Sequence, residues 1–262
     1  MRDLNITLVQ TPLHWQQPDA NRAMLEEKLW QAESDADLII LPEMFTTGFS
    51  MEAAKLAEPM NFKTLRWMRQ MAEQMKAVIC GSFIVNDSGQ YFNRLVWMQP
   101  DGQYSYYDKR HLFRMADEHE HYSPGHHKIT PTLNGWTICP FICYDLRFPV
   151  WSRNIQDGNK PIYDLAIYVA NWPAARVNAW DTLLRARAIE NLSYVVGVNR
   201  IGSDNKGIEY NGHSAVITPK GDEQIFMSDR EETITTSLKA NEVIQVREKF
   251  PAHLDADSFT LQ

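Results

Sequence analysis

Three residues with reactive side chains each end an apolar run in this sequence. Cys143 ends WTICPFIC, Glu43 ends LIILPE, and Lys109 ends YSYYDK. A thiol can act as a nucleophile, a carboxyl group can carry a proton, and an ammonium group can stabilise a developing negative charge. In α/β sheets, sites collect where strands end. We therefore take these three positions as candidates for a single reactive site.

Each candidate also has an ordinary structural interpretation. Glu43 could be a strand-end charge that reaches water, and Lys109 could be a surface lysine. Free cysteine is among the most buried residue types, and Cys80 and Cys139 lie inside apolar runs that are typical of inert core. A buried carboxyl group, by contrast, would have a raised pKa suited to proton transfer near neutrality.

Cys143 differs from the other two cysteines in its surroundings. The polar residues YDLR follow it, and Pro149 is suited to the first turn of a helix. Backbone amides at such a strand-to-helix elbow favour a thiolate and can receive an oxyanion. The spacing leaves both readings of Cys143 open, as core packing or as a nucleophile.

The elements that must position these residues are predicted from hydrophobic periodicity and turn signals. Helices are predicted over 19–34, 61–76 and 179–192, and the turns NDSGQ and PDGQ predict hairpins. Buried runs separated by helices indicate parallel strands, and the hairpins add antiparallel ones, which favours layered mixed sheets. Strands are predicted over 4–10, 36–43, 77–85, 91–99, 104–109, 136–143, 164–171, 194–202, 213–218 and 224–229.

Composition bounds the class of protein. The chain has 262 residues, 44% of them hydrophobic, which suits one folded domain over residues 1–262. A net charge of −7 without a basic block argues against nucleic acid as a partner. We find no stretch of about 18 apolar residues that would span a membrane, and MRDLNITLVQ does not read as a signal peptide. Three cysteines without a disulfide or metal-ligand pattern favour reduced thiols in the cytoplasm.

Three motifs together resemble a known family. LPEMFTTGF, YYDKRHLF and FICYDLRFP are similar, in order and separation, to the signature stretches of the nitrilase superfamily of carbon–nitrogen hydrolases. The resemblance extends from the first strand to about Val246 and includes ARAIENLSYVVGVNR. It implies a four-layer αββα sandwich, with two mixed sheets face to face and helices outside. It also implies a homodimer or higher homo-oligomer, and we consider residues 250–262 as a dimer-contact tail.

The resemblance assigns chemical roles to the candidate residues. It implies that Glu43 is the general base, Lys109 the ammonium beside the oxyanion, and Cys143 the nucleophile of a thioester mechanism. A second glutamate is implied in EHEHYSPG, at Glu118, with Glu120 as the alternative. The family needs no cofactor and no metal.

The substrate implied by the resemblance is a small amide. MFTTGF, RMADEHEHYSPG and ANWPAARVNAW look closest to bacterial ω-amidases, which hydrolyse the terminal amide of 2-oxoglutaramate and 2-oxosuccinamate. The far carboxylate of such a substrate requires a cationic or N–H-rich anchor. Candidate substrate-binding residues are Arg176 and Arg114 as anchors, Phe49 and Trp172 as pocket walls, and Tyr144 through its backbone N–H.

Alternative functions remain open on sequence grounds. The same three residues could hydrolyse N-carbamoyl amines or short aliphatic amides and nitriles, and a non-catalytic dimerising sandwich domain is the non-enzymatic alternative. The His-rich loop over 110–127 could suggest a metal site, but its HEH lacks the HExxH spacing that places two imidazoles on one helix face. A solvated loop is the simpler interpretation.

Overall fold

The computed structural model describes residues 1–32, 35–154, 156–157 and 160–257. The predicted apolar runs correspond to strands, several of them shorter than the run itself. In chain order the strands are β1 (Leu4–Gln10), β2 (Leu38–Ile40), β3 (Glu58–Pro59), β4 (Val78–Asp87), β5 (Gln90–Met98), β6 (Tyr104–Asp108), β7 (Thr132–Leu133), β8 (Trp136–Ile142), β9 (Gln156–Asp157), β10 (Lys160–Pro161), β11 (Leu165–Ala170), β12 (Tyr194–Asn199), β13 (Ile201–Ser203), β14 (Glu209–Asn211), β15 (Ala215–Ile217), β16 (Glu223–Phe226) and β17 (Glu232–Leu238).

Helices connect the strands and cover them. The predicted helix over 19–34 corresponds to α1, although residues 33–34 lie outside the described ranges. Short 3-10 helices occur at Arg114–Ala116, Cys143–Arg147, Ala174–Arg176 and Ala252–Asp255. The α-helices are α1 (Pro18–Gln31), α2 (Ala53–Leu56), α3 (Lys63–Met75), α4 (Glu118–His121), α5 (Pro149–Ser152), α6 (Val177–Asn191) and α7 (Ala240–Lys249).

Two mixed sheets form the centre of the molecule. The first has the order β17-β1-β2-β4-β5-β6, with β3 beside β4, and the second has the order β16-β15-β12-β11-β8-β7. In the first sheet β2 is parallel to β4, and the β4–β5 and β5–β6 pairs are antiparallel. Strand β6 therefore runs in the direction of β2, so both strands end at one edge. In the second sheet β8, β11 and β12 are parallel and also end together.

The hydrophobic core lies between the two sheets. Alternate residues of β1, such as Ile6 and Leu8, share a buried cluster with Ile138 of β8. The other face of the first sheet packs on α1 and α3, where Ile39 shares a second buried cluster with Met68. Helix α6 covers the second sheet from outside, through the side chains of Trp180 and Leu184, which lie close to Gly197 of β12. The predicted four-layer αββα sandwich is confirmed.

Two elements near the C-terminus were not predicted. Strand β17 pairs antiparallel with β1 along its whole length, from Leu238 opposite Leu4 to Glu232 opposite Gln10. Its sequence, ETITTSL, carries threonines where a covered strand would carry apolar residues, and most of its side chains are half-buried. Helix α7 follows directly. Part of the proposed dimer-contact tail, residues 258–262, lies outside the described ranges.

No helix in the described part of the chain has both the length and the apolar character needed to cross a bilayer.

Candidate active site

Glu43 and Lys109 come from two strands of the first sheet and meet at its edge. Glu43 lies just beyond β2, and Lys109 follows β6 directly. The Nζ atom of Lys109 donates a hydrogen bond to Oε1 of Glu43 at 2.8 Å. Both side chains are almost completely buried, with exposures of 1% and 0%. A buried charge requires a partner of opposite sign, and these two residues provide one for each other.

A second glutamate shares the same ammonium group. Glu118 begins α4, is fully buried, and lies 3.0 Å from Lys109 Nζ. The backbone N–H of Phe113 donates to Glu118 Oε2 at 2.5 Å. Glu120, the alternative, is 67% exposed and contacts His119 instead. The fold therefore brings Glu118, rather than Glu120, to the cluster.

The loop that carries Glu118 is fixed to β6 by a close backbone approach. Gly125 donates its N–H to the carbonyl of Lys109 at 2.9 Å. A Cβ atom at Gly125 would lie 2.0 Å from the carbonyl oxygen of Asp108, so only glycine fits here.

The charges of this cluster do not balance, because two carboxyl groups share one ammonium. Burial alone would lower the pKa of Lys109, but the charges of Glu118 and Glu43 outweigh it and raise that pKa. Burial raises the pKa of Glu118, and the charge of Glu43 adds to the rise, while Lys109 opposes it. Glu118 therefore holds its proton more readily than an exposed glutamate does, which reduces the excess negative charge.

Cys143 follows β8 of the second sheet and begins a tight turn. Its backbone φ is +43°, in the left-handed region that non-glycine residues rarely adopt. Burial raises the pKa of the Cys143 thiol well above its ordinary value, and Glu43 adds to the rise through its charge and a hydrogen bond. Burial therefore opposes the thiolate that the elbow amides were expected to favour, and Glu43 lies where it can accept the thiol proton.

Asp145, which sequence analysis did not single out, ties the turn to the lysine loop. Its carboxylate is fully buried and accepts the backbone N–H of Ile142 at 3.1 Å, within the turn. It also accepts the hydroxyl of Tyr107 at 2.7 Å and the backbone N–H of His111 at 3.0 Å, on either side of Lys109. This one side chain therefore links the segments that carry Cys143 and Lys109.

Two asparagines complete the surroundings of Glu43, and neither was predicted. The Nδ2 atom of Asn93, on β5, donates to Glu43 Oε1 at 2.8 Å. The backbone N–H of Asn171, just after β11, donates to the other oxygen, Oε2, at 2.8 Å. An asparagine at a strand end has no distinctive sequence signal, since its usual role there is to cap or turn the chain.

A cleft of about 610 Å³, part of it open to solvent, leads to this cluster. Lys109 and Cys143 line it, as do four of the five predicted substrate-binding residues: Phe49, Tyr144, Trp172 and Arg176. The fifth, Arg114, is exposed and is not part of the lining.

Two arginines in the lining lack an acidic partner among the described residues. The guanidinium of Arg147 lies 5.0 Å from the Trp172 ring centroid, and that of Arg176 lies 5.2 Å from the Phe113 ring centroid. Arg147 was not among the predicted site residues.

Two histidines of the 110–127 loop are engaged in separate contacts. Nδ1 of His111 lies 2.8 Å from Asp145, and Nδ1 of His126 lies 2.8 Å from Nη1 of Arg110. Across the described residues, no group of three or more His, Cys, Asp or Glu side chains is arranged to hold a metal ion.

Comparison with known proteins places the chain in a family. The family model described as carbon-nitrogen hydrolase matches residues 5–248. The omega-amidase YafV of Escherichia coli K12 is 47% identical, with all of both chains covered. The 2-oxoglutaramate amidase of Bacillus subtilis is 31% identical over 95% of this chain and 96% of its own. A crystal structure of XC1258 from Xanthomonas campestris, a CN-hydrolase superfamily protein, superposes with a TM-score of 0.97 at 46% identity and covers both chains fully. The predicted resemblance is thus confirmed, and the chain belongs to the carbon–nitrogen hydrolase family.

Proposed function

We propose that this enzyme is an ω-amidase that hydrolyses the terminal amide of 2-oxoglutaramate and 2-oxosuccinamate through a thioester on Cys143. The observation that carries the proposal is a cleft in which a buried thiol lies beside a carboxylate and an ammonium, while two arginines with no acidic partner in the described ranges line the same space. The names of the relatives, omega-amidase and 2-oxoglutaramate amidase, support this choice of substrate.

The acylation step uses residues that follow strands of both sheets. Glu43 accepts the proton of the Cys143 thiol as sulfur bonds to the amide carbon. The carbonyl oxygen becomes an oxyanion, which Lys109 Nζ and the backbone N–H of Tyr144 stabilise. Glu43 then returns the proton to nitrogen, the carbon–nitrogen bond breaks, and ammonia leaves. A base is required because burial raises the pKa of the Cys143 thiol.

The deacylation step restores the enzyme. Glu43 takes a proton from water, whose oxygen adds to the thioester carbon, and Glu118 orients that water from the other side of Lys109. The carbon–sulfur bond breaks, the carboxylic acid leaves, and sulfur recovers the proton. Dividing the hydrolysis in this way replaces one high barrier with two lower ones.

The far carboxylate of the substrate requires a positive partner in the cleft. Arg176 is half-buried in the lining and pairs with no acidic residue in the part of the chain that the structure describes, which supports it as the anchor; Arg147 lies in the same lining. Phe49 and Trp172 are proposed as walls for the short carbon chain. Arg114, outside the lining, is the weaker anchor candidate.

The assignment is tested by ammonia release from 2-oxoglutaramate, measured with a coupled glutamate dehydrogenase assay. We expect a much higher kcat/KM than for a short neutral amide, a nitrile or an N-carbamoyl amine. Equal rates on the neutral amide would reject the ω-amidase assignment but not amide hydrolysis. The variant Cys143→Ala should release no ammonia, and undiminished turnover would rule out the thioester.

The homodimer and the cytoplasmic location stay predictions. Sedimentation of the purified chain would test the first. Ile244, on α7, and Phe250, the first residue of the predicted contact tail, are exposed apolar side chains.

A further inference from the structure

Asn171 holds Glu43 in place through two of its atoms but leaves a third, its side-chain oxygen, unused. It follows β11 directly and is only 3% exposed. Its backbone N–H donates to Glu43 Oε2 at 2.8 Å, and its Nδ2 donates to the backbone carbonyl of Glu43 at 2.5 Å. The side-chain oxygen, Oδ1, is buried and has no hydrogen-bond partner among the described residues.

The orientation of this amide group follows from its neighbour. A backbone carbonyl only accepts hydrogen bonds, so the end of the side chain that faces the Glu43 carbonyl must be the NH₂ group. The oxygen therefore occupies the opposite end. Buried acceptors are rarely left unpaired in folded proteins, and an exception calls for an explanation.

A neighbouring asparagine has both its side-chain oxygen and its side-chain nitrogen in hydrogen bonds. Asn199, which ends β12, accepts the backbone N–H of Trp172 through Oδ1 at 2.7 Å. Its Nδ2 donates to the carbonyls of Trp172 at 3.0 Å and Gly212 at 2.8 Å. Both ends of the Asn199 side chain are hydrogen-bonded within the protein. Asn171, which follows the adjacent parallel strand, is hydrogen-bonded through its Nδ2 end only.

The unpaired oxygen belongs to a residue of the substrate cleft. Asn171 lines the cleft together with Cys143 and Lys109. Strands β8 and β11 are parallel and in register, with Ile142 opposite Val169, so Cys143 and Asn171 extend from the same edge of the sheet. A buried acceptor at this place is suited to a donor carried by the substrate.

We propose that Oδ1 of Asn171 accepts an N–H of the scissile primary amide and thereby selects amides over esters and nitriles. The proposal rests on the amide hydrolysis proposed above. With one N–H held by Asn171, the nitrogen stays beside Glu43, which protonates it as the carbon–nitrogen bond breaks and ammonia leaves. An ester oxygen and a nitrile nitrogen carry no hydrogen, so they would leave Oδ1 unpaired.

The test compares an amide with an ester in the same variants. The wild type and Asn171→Ala are assayed for ammonia release from 2-oxoglutaramate and from a short neutral primary amide. Both are also assayed for 4-nitrophenolate release from 4-nitrophenyl butyrate, an activated ester without an N–H. We expect kcat/KM for both amides to fall about 100-fold further than that for the ester, since a site built to hydrogen-bond an N–H discriminates strongly against substrates that lack it. The loss on the ester measures the effect of removing the Nδ2 hydrogen bond that supports Glu43.

Asn199→Ala is the matched control, because it removes a purely structural amide from the next strand. It should lower amide and ester turnover by the same factor. Asn171→Ser, with a smaller side chain, provides a second variant if Asn171→Ala does not fold, and we expect the same amide-selective loss. Equal losses on amide and ester in the Asn171 variants, or no loss on either, would overturn the proposal. Because the neutral amide is included, a failure of the 2-oxoglutaramate assignment would show separately, as equal wild-type rates on the two amides.

Discussion

The Nζ atom of Lys109 lies 2.8 Å from Oε1 of Glu43, and the two side chains belong to different strands of one sheet. The same ammonium also lies 3.0 Å from Glu118, so two buried carboxyl groups share it as their cationic partner. The cluster is thus both the centre of the proposed chemistry and a point where stability depends on one cation.

Replacing Lys109 with methionine should destabilise the fold as well as abolish activity. Removing one partner of a buried ion pair typically costs about 3–5 kcal/mol, since the remaining charges are left buried and uncompensated. The measurement is the free energy of unfolding in urea. Lys128→Met is the control, because Lys128 is half-buried but pairs with the carbonyl of Trp151 rather than with a carboxylate. A loss no larger than that of the control would contradict the shared-cation interpretation.

Glu118→Gln should change how stability depends on pH. The pKa of Glu118 is raised in the folded state, so the stabilisation from its protonated form is complete below its ordinary value of 4.5 and is lost as pH rises through the folded value. Glutamine stays neutral throughout. The variant should therefore gain stability relative to the wild type as pH rises above the ordinary value of 4.5. Melting curves across this range give the test, and a difference that is independent of pH would contradict it.

Alkylation should be selective among the three cysteines and should accelerate with pH. Cys80 and Cys139 are 0% and 1% exposed inside strands, while Cys143 is 9% exposed and lines the cleft. Because burial raises the pKa of Cys143, its thiolate fraction is small at neutral pH and grows as pH rises. Mass spectrometry after iodoacetamide treatment should find Cys143 modified first. Denatured protein, in which all three should react, is the control.

The two arginines named as carboxylate anchors should behave differently. Arg176→Gln should lower kcat/KM for 2-oxoglutaramate by about 10- to 100-fold, the range expected for losing a hydrogen bond to a charged group, and should spare a neutral amide. Arg114→Gln should change neither rate, because Arg114 lies outside the cleft lining. If the Arg114 variant shows the substrate-selective loss instead, the anchor has been misplaced.

The sequence was sufficient to place the candidate residues at strand ends. Abrupt transitions from apolar runs to polar residues singled out Glu43, Lys109 and Cys143 as candidates, the family resemblance gave them roles, and the alternation of helices with buried strands indicated layered sheets. Glu118 needed the family resemblance, because a loop without periodicity does not reveal which of its two glutamates turns inward.

The remaining features depend on tertiary contacts that no local pattern encodes. Strand β17 is rich in threonine and was not predicted, because its strand conformation depends on pairing with β1 rather than on an apolar pattern. Asn93, Asp145 and Asn171 act through partners distant in sequence, such as Asn171 with Glu43, 128 residues apart. Whether an arginine such as Arg114 lines a cleft depends on loop conformation, which hydrophobic periodicity does not describe.

The proposed nucleophile and its base are mounted on separate sheets, Cys143 beyond β8 and Glu43 beyond β2. Their separation is therefore set by how the two sheets settle against each other, through side chains far from the cleft. A displacement of about 1 Å between reacting groups can reduce a rate by about 100-fold. We therefore expect a small change between the two sheets, such as the loss of one methyl group from Ile138, to lower turnover before it measurably lowers the melting temperature.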